Sequence, residues 1–282
     1  MFGRLLTLPF IFGLALCYFL TWKGYGSHYA MWMIPQGVLL ALVVVFLPQI
    51  NWWWYCKYPP KLDDVVVKWL ETYHRFYKEL SPENKIIFKQ RLALYLMAIK
   101  FIGRNEEEQI EYDVQAIIAS NIIHITFGMD NFLTGKFEHI VVYHGAFPSP
   151  EYPHTWHYSE LYEQDGVLLF SRDQVINAFV QDPRVFQVGL YEFARVLFII
   201  NPHWEIPSLE DENIEVLQEI SSMANGDVKN TIGLEEIDWR AVATHHFLRF
   251  PEKMESKLPE YYKILQRALR LNPKNRPNPK DS

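Results

Sequence analysis

Two long apolar runs at the start of the chain restrict its fold more than any other feature. Leu5–Trp22 runs 18 residues with only Thr7 and Thr21 as polar side chains, and Ala30–Ile50 is interrupted only by Gln36 and Gln49. Each run approaches the roughly 20 apolar residues needed to cross a bilayer core. Neither shows the polar stripe that a helix on the surface of a globular core would need. The linker Lys23-Gly24-Tyr25-Gly26-Ser27-His28-Tyr29 is short, polar and glycine-bearing, and Pro9 and Pro35 lie near the starts of the runs, where a missing N–H costs least. Trp52, Trp53, Trp54 and Tyr55 follow the second run, as an interfacial belt would. A cleaved signal peptide is the rival for the first run. However, no small-x-small site precedes the second run, and Leu14-Ala15-Leu16-Cys17 has too large a residue at Leu16 for a lipoprotein box. The expectation is a two-helix transmembrane anchor over residues 1–57. Arg4 and the amino terminus precede it, Lys57 and Lys61 follow it, and only Lys23 lies between. By the positive-inside rule this is a two-pass protein of the inner (cytoplasmic) membrane with its soluble part in the cytoplasm.

Charge divides the chain at the same place. Residues 1–50 hold only Arg4 and Lys23, so the rest carries 25 of the 27 basic groups and all 33 acidic ones, a net of −8. An acidic body argues against nucleic acid as a partner. Two cysteines, Cys17 in the first run and Cys56 at the edge of the second, supply neither a disulfide framework nor a four-cysteine zinc site.

The body, residues 58–271, reads as mainly helical. Leu62, Val65, Val66, Trp69, Leu70, Tyr73 and Phe76 fall at helical spacing over 61–80. Ser81-Pro82 starts a second helix that ends by Gly103; 105–108 is a charged turn; a third helix spans 111–127, with Gly128 as its stop. His139–Tyr143 and Val167–Phe170 are β-branched or apolar enough for strands, separated by a proline- and aromatic-rich loop over 145–166. Helices are expected over 172–180, 184–200 (started by Asp182-Pro183), 209–223, 235–250 and 259–271. The tail, 272–282, has three prolines and no apolar residue and is expected to be disordered.

The informative segment is Gly189-Leu190-Tyr191-Glu192-Phe193-Ala194-Arg195-Val196-Leu197. In zinc peptidases such a helix carries His-Glu-x-x-His, whose two histidines share one face and bind the metal while the glutamate is the base. Further segments fall in order around it: Leu80-Ser81-Pro82-Glu83, Ile117–Phe127, Ile140-Val141-Val142-Tyr143-His144-Gly145-Ala146-Phe147, Asp165–Ser171, Asp238–Pro251 and Leu258–Leu265. Together they resemble the Mlc titration factor A family of zinc-dependent peptidases over roughly Leu80 to Pro273. The resemblance implies an α+β, mainly helical zincin-like metallopeptidase domain with a small sheet, here behind a transmembrane hairpin. It also implies protein recognition, including that of a transcription repressor.

Position by position, the resemblance puts Tyr191 and Arg195 at the two zinc histidines, His245 at the third ligand, and Glu192 at the retained base. Arginine cannot give up a proton to bind a metal, and tyrosine ligates only as a phenolate. The expectation is therefore a degenerate site with no metal, in which Arg195 occupies the vacated position and pairs with Glu192 at i,i+3, with Tyr191 and His245 nearby. The plainer alternative is a solvated Glu192–Arg195 surface pair.

Other candidate chemistry is sparse. His154 and His157, with Glu160 after them, form a conceivable metal pair, but prolines flank them. His144 at a strand end and His124 among apolar residues read as hydrogen-bonded and core side chains. No glycine-rich phosphate loop or Gly-x-Ser-x-Gly elbow occurs. Tyr152, His154, Trp156, His157 and Tyr158 belong to the residue types that anchor interfaces, so their loop is the candidate partner surface, against a lid packed on the body. The reading is a membrane-tethered, catalytically inactive peptidase homologue that binds an unknown protein, with the lipid bilayer as its other partner and no cofactor. The alternatives are an active zinc enzyme using Glu192, His245 and a loop histidine, or a structural subunit of a membrane complex.

Overall fold

The computed structural model describes residues 2–104, 108–181, 185–221, 225–234 and 236–273. Residues 105–107 of the turn expected at 105–108, the Asp182-Pro183 helix start, Glu235 and the expected tail from 274 onward lie outside them. The chain forms two units, 1–60 and 61–282.

The first unit is a helical hairpin. α1 (Phe2–Trp22) and α2 (His28–Val45) are each long and apolar enough to cross a membrane. Gly24 (φ +79) and Gly26 (φ +138) make the left-handed turn between them, as only glycine does cheaply. Gly13 of α1 lies against the Gln36 amide of α2, and Gln36 Nε2 approaches Cys17 Sγ at 3.7 Å. The second apolar run is not one helix. It breaks at Phe46, and α3 (Leu47–Lys57) carries the tryptophans onward. Pro48 explains the break: it lacks an N–H, and its ring clashes with the carbonyl four residues earlier. Phe2 stacks on Trp54 at 3.9 Å, and the Gly3 N–H donates to Asn51 Oδ1 at 2.8 Å, tying the start of α1 to α3.

The second unit contains α4 (Asp64–Tyr73), α5 (Arg75–Glu79), α6 (Pro82–Ala98), β1 (Lys100–Gly103), α7 (Tyr112–Ile125), β2 (His139–Tyr143), β3 (Ser159–Tyr162), β4 (Val167–Ser171) and α8 (Arg172–Val180). These are followed by α9 (Val188–Ile200), α10 (Asp211–Ser221), α11 (Asn225–Ile232), α12 (Trp239–Arg249), α13 (Pro251–Lys257) and α14 (Pro259–Leu269). The expected helix over 61–80 is two helices. His74 leaves the helical region (ψ 96), and its Nδ1 accepts the Tyr77 N–H at 3.2 Å, capping α5. Ser81 and Ser171 cap α6 and α8 as expected.

The sheet has order β1-β2-β4-β3. β1, β2 and β4 run parallel, and β3 lies antiparallel on the β4 edge, with Ser159 opposite Phe170 and Tyr162 opposite Val167. Neither β1 nor β3 was expected. β1 was read as the end of a helix, and β3 lies inside the predicted loop; strands of four residues are too short for alternation to show.

α7 is buried on every side from Ala116 to Ile125, as suits a central helix, and α9 packs across it and against α12. Gly189 allows the α7–α9 approach: a methyl there would sit 2.6 Å from Asn121 Nδ2. Phe193 of α9 meets Tyr95 of α6 and Phe170 of β4, so α9 is locked between helices and sheet.

Gly128 does not terminate α7, which ends at Ile125; it makes room for the backbone carbonyl of Arg270, which a methyl at this position would strike. Gly128→Ala should therefore cost about 2 kcal/mol, as overpacking against backbone does, and lower Tm by about 4–8 °C. Gly145→Ala, with nothing within 4 Å of the added methyl, should change stability by less than about 0.5 kcal/mol. Thermal melts of the two variants check this; equal melting temperatures would refute it.

Candidate functional site

α9, β3 and the start of α12 converge on Glu192. Its side chain is fully buried, yet both oxygens are satisfied. Ser159 Oγ, from the edge strand, donates to Oε1 at 2.8 Å, and Arg195 Nη1, one turn along α9, donates to Oε2 at 2.8 Å. A buried carboxylate without such partners would be costly. The Glu192–Arg195 pair expected from i,i+3 spacing is thus present, and it is not the solvated surface pair of the plainer alternative, because Glu192 has no exposure.

Tyr191 is also buried. Its hydroxyl accepts the backbone N–H of Asp238 at 3.1 Å, and its ring lies 5.6 Å from the Arg195 guanidinium. Burial, reinforced by the charge of Glu192, pushes the Tyr191 phenol well above its ordinary range, so it keeps its proton. Burial would lower Arg195, but the charge of Glu192 and its hydrogen bond outweigh it and hold the guanidinium above the usual arginine value. Asp238 caps α12 through the Arg240 N–H (3.0 Å) and grips the Arg240 guanidinium at 3.0 and 2.8 Å.

His245 lies elsewhere. Expected beside Arg195, it faces the start of α9 instead, where Nε2 accepts the Gln187 N–H at 3.2 Å and the ring rests on Phe186 at 4.3 Å. The reason is packing: Gln187 precedes the first turn of α9 and has an N–H to satisfy, and a buried imidazole supplies the acceptor. Burial, then the neighbouring His246, holds His245 well below the ordinary histidine value.

The aromatic loop is folded down on itself. Phe147 and His157 exchange both backbone hydrogen bonds (2.9 and 3.1 Å), and their rings meet edge to face. His157 is therefore no surface residue. It is buried, with Nε2 on Glu160 at 2.9 Å and Nδ1 on the Thr155 carbonyl at 3.0 Å. Gly233 (φ +78) passes beneath it, where a methyl would sit 2.7 Å from His157 Cα. His154 stays exposed, so the loop histidines are not brought together as a metal pair. Tyr152 and Tyr158 are half-buried, Tyr152 packing on His157, and Trp156 remains 67% exposed. His144 pairs with Glu108 at 3.0 Å, and buried His124 stacks on Phe76.

A zinc ion would need lone pairs from deprotonated donors. The implied positions do not offer them. Arg195 is cationic, the Tyr191 hydroxyl keeps its proton, and the Nε2 lone pair of His245 is spent on Gln187. The alternative set of Glu192, His245 and a loop histidine fares no better, since both Glu192 oxygens and His157 Nε2 are already engaged. The residues at these positions do not fit the metal. Beside Arg195 opens a cleft of about 580 Å³, walled by Leu161, Phe198 and Ile199.

Ser159 and Gln187 escaped sequence reasoning. Ser159 lies 33 residues before Glu192, in a segment with no readable strand pattern, and Gln187 contributes only its backbone. No protein-family model matches the chain, and no curated protein matches it.

Proposed function

We propose that this chain is a membrane-tethered, catalytically inactive homologue of the Mlc titration factor A peptidases, with a zincin-like body that works by binding another protein. The observation that carries the reading is the closure of the Glu192 carboxylate by Ser159 and Arg195, both at 2.8 Å. A carboxylate so held is shut off from solvent and has its charge balanced by Arg195, which leaves it a poor base for water, and the guanidinium supplies the positive charge a metal would have brought. Two helices long and apolar enough to cross a membrane support the tether, and Arg4, Lys57 and Lys61 support an inner-membrane protein with its body on the cytoplasmic side. Trp156, exposed on a loop pinned at its base, is the first residue of the partner surface to test.

The test is metal content and peptide hydrolysis of the full-length protein in mild detergent. Wild type should hold far less than one zinc per chain and hydrolyse nothing. One zinc per wild-type chain, lost together with activity in Glu192→Gln, would overturn the proposal.

A further inference from the structure

The cleft beside Arg195 is lined by ion pairs that differ in how fully they are used. Lys136 pairs with Glu163 at 3.3 Å, and Arg240 spends Nε and Nη2 on Asp238. Arg195 spends only Nη1, on a carboxylate buried below the cleft floor. A guanidinium has five N–H donors in a planar fork. The Arg195 side chain is 27% exposed while that of Glu192 is 0% exposed, and among the described residues the hydrogen bond that Arg195 donates is the one from Nη1 to Glu192. The unused edge of the fork therefore faces the cleft, held in place by Glu192 behind it and the Tyr191 ring beside it.

We infer that the outward edge of Arg195 is a carboxylate-binding site, taking a ligand whose apolar part rests on Leu161, Phe198 and Ile199. This deepens the reading of the cleft as one that binds without hydrolysis, and rests on it. Two-point contact with a carboxylate is the geometry arginine suits best. The lining holds three cations, Lys136, Arg195 and Arg240, and three carboxylates, Glu151, Glu163 and Asp238, so selection depends on this two-point fit rather than on a long-range field. Buried Glu192 competes for the same guanidinium, which makes it the residue that weakens the site.

The experiment uses full-length protein in detergent, with N-acetyl-leucine, N-acetyl-leucinamide and acetate as probes, followed by ligand-observed NMR titration. N-acetyl-leucine should bind and its amide should bind at least about tenfold more weakly, as loss of a charge-assisted pair requires. Arg195→Lys keeps the charge but not the fork and should weaken binding about tenfold. Glu192→Gln removes the competitor and should tighten it by a similar factor, an outcome that misfolding cannot mimic. Acetate binding as tightly as N-acetyl-leucine would assign the site to small carboxylates; preference for N-acetyl-leucine assigns it to chain ends. Equal binding of acid and amide, or no change in either variant, overturns the inference. With zinc absent, that result leaves the non-hydrolytic reading standing; zinc in the wild-type protein would overturn that reading first.

Discussion

Arg195→Met should destabilise the body by about 3 kcal/mol, because it strands a buried carboxylate. Breaking a buried ion pair by removing one partner costs about 3–5 kcal/mol, and the partial exposure of Arg195 together with the remaining Ser159 bond places this case at the low end. The companion variant carries the argument. Glu192→Gln in the Arg195→Met background removes the stranded charge and should recover most of the loss, since uncharged replacements of buried pairs are often neutral. Denaturant midpoints of the two single variants and the double variant measure the coupling. Additive losses, with no recovery in the double variant, would mean that the pair is not what neutralises Glu192.

Acid should unfold this protein well before its carboxylates titrate. Four histidines are buried at the α7, α10 and α12 contacts and at the α4–α5 junction. Burial, with the charge of Arg249 beside it, pulls His74 down to about 3. Burial brings His246 to about 4, against the opposing pull of the Val242 and Leu217 carbonyls. Burial holds His124 well below the ordinary value, aided by His74 and Arg249, and does the same for His245, aided by His246. These groups are neutral when folded, whereas in the unfolded chain they take protons below about pH 6.5. The unfolded state binds more protons there, so stability is full above that pH and is lost as pH falls from it towards 4 and 3. At pH 5, His74 and His246 alone should each cost about 2 kcal/mol, roughly half the stability of an ordinary domain. Urea midpoints at pH 7.5 and pH 5.0 test this, and a flat profile over that interval would refute it.

The histidines show where sequence reasoning stops. His124 reads as a core side chain from its apolar neighbours Ile122, Ile123 and Ile125, and it is buried with every residue of α7 from Ala116 to Ile125. His245 does not, because its partner, the Gln187 N–H, is 58 residues away and is identified by no side chain. The loop from Gly145 to Gly166 has the same difficulty. Its prolines and aromatics announce irregular chain, and they hide both a four-residue edge strand and the reciprocal Phe147–His157 bonds that pin the loop down.

What the sequence determined by itself was whatever depends on neighbours along the chain. The hairpin is of this kind, since in lipid every backbone group must be satisfied within its own helix, and an uncharged run of sufficient length has few other structures open to it. So are the serine caps and the i,i+3 reach from Glu192 to Arg195. The complete burial of Glu192, the arrival of Ser159 from the sheet edge, the turn of His245 towards Gln187 and the exposed edge of Arg195 all come from long-range packing. Those outcomes depend on how α9 is packed between α7, α12 and β3, and packing joins residues that no local period relates.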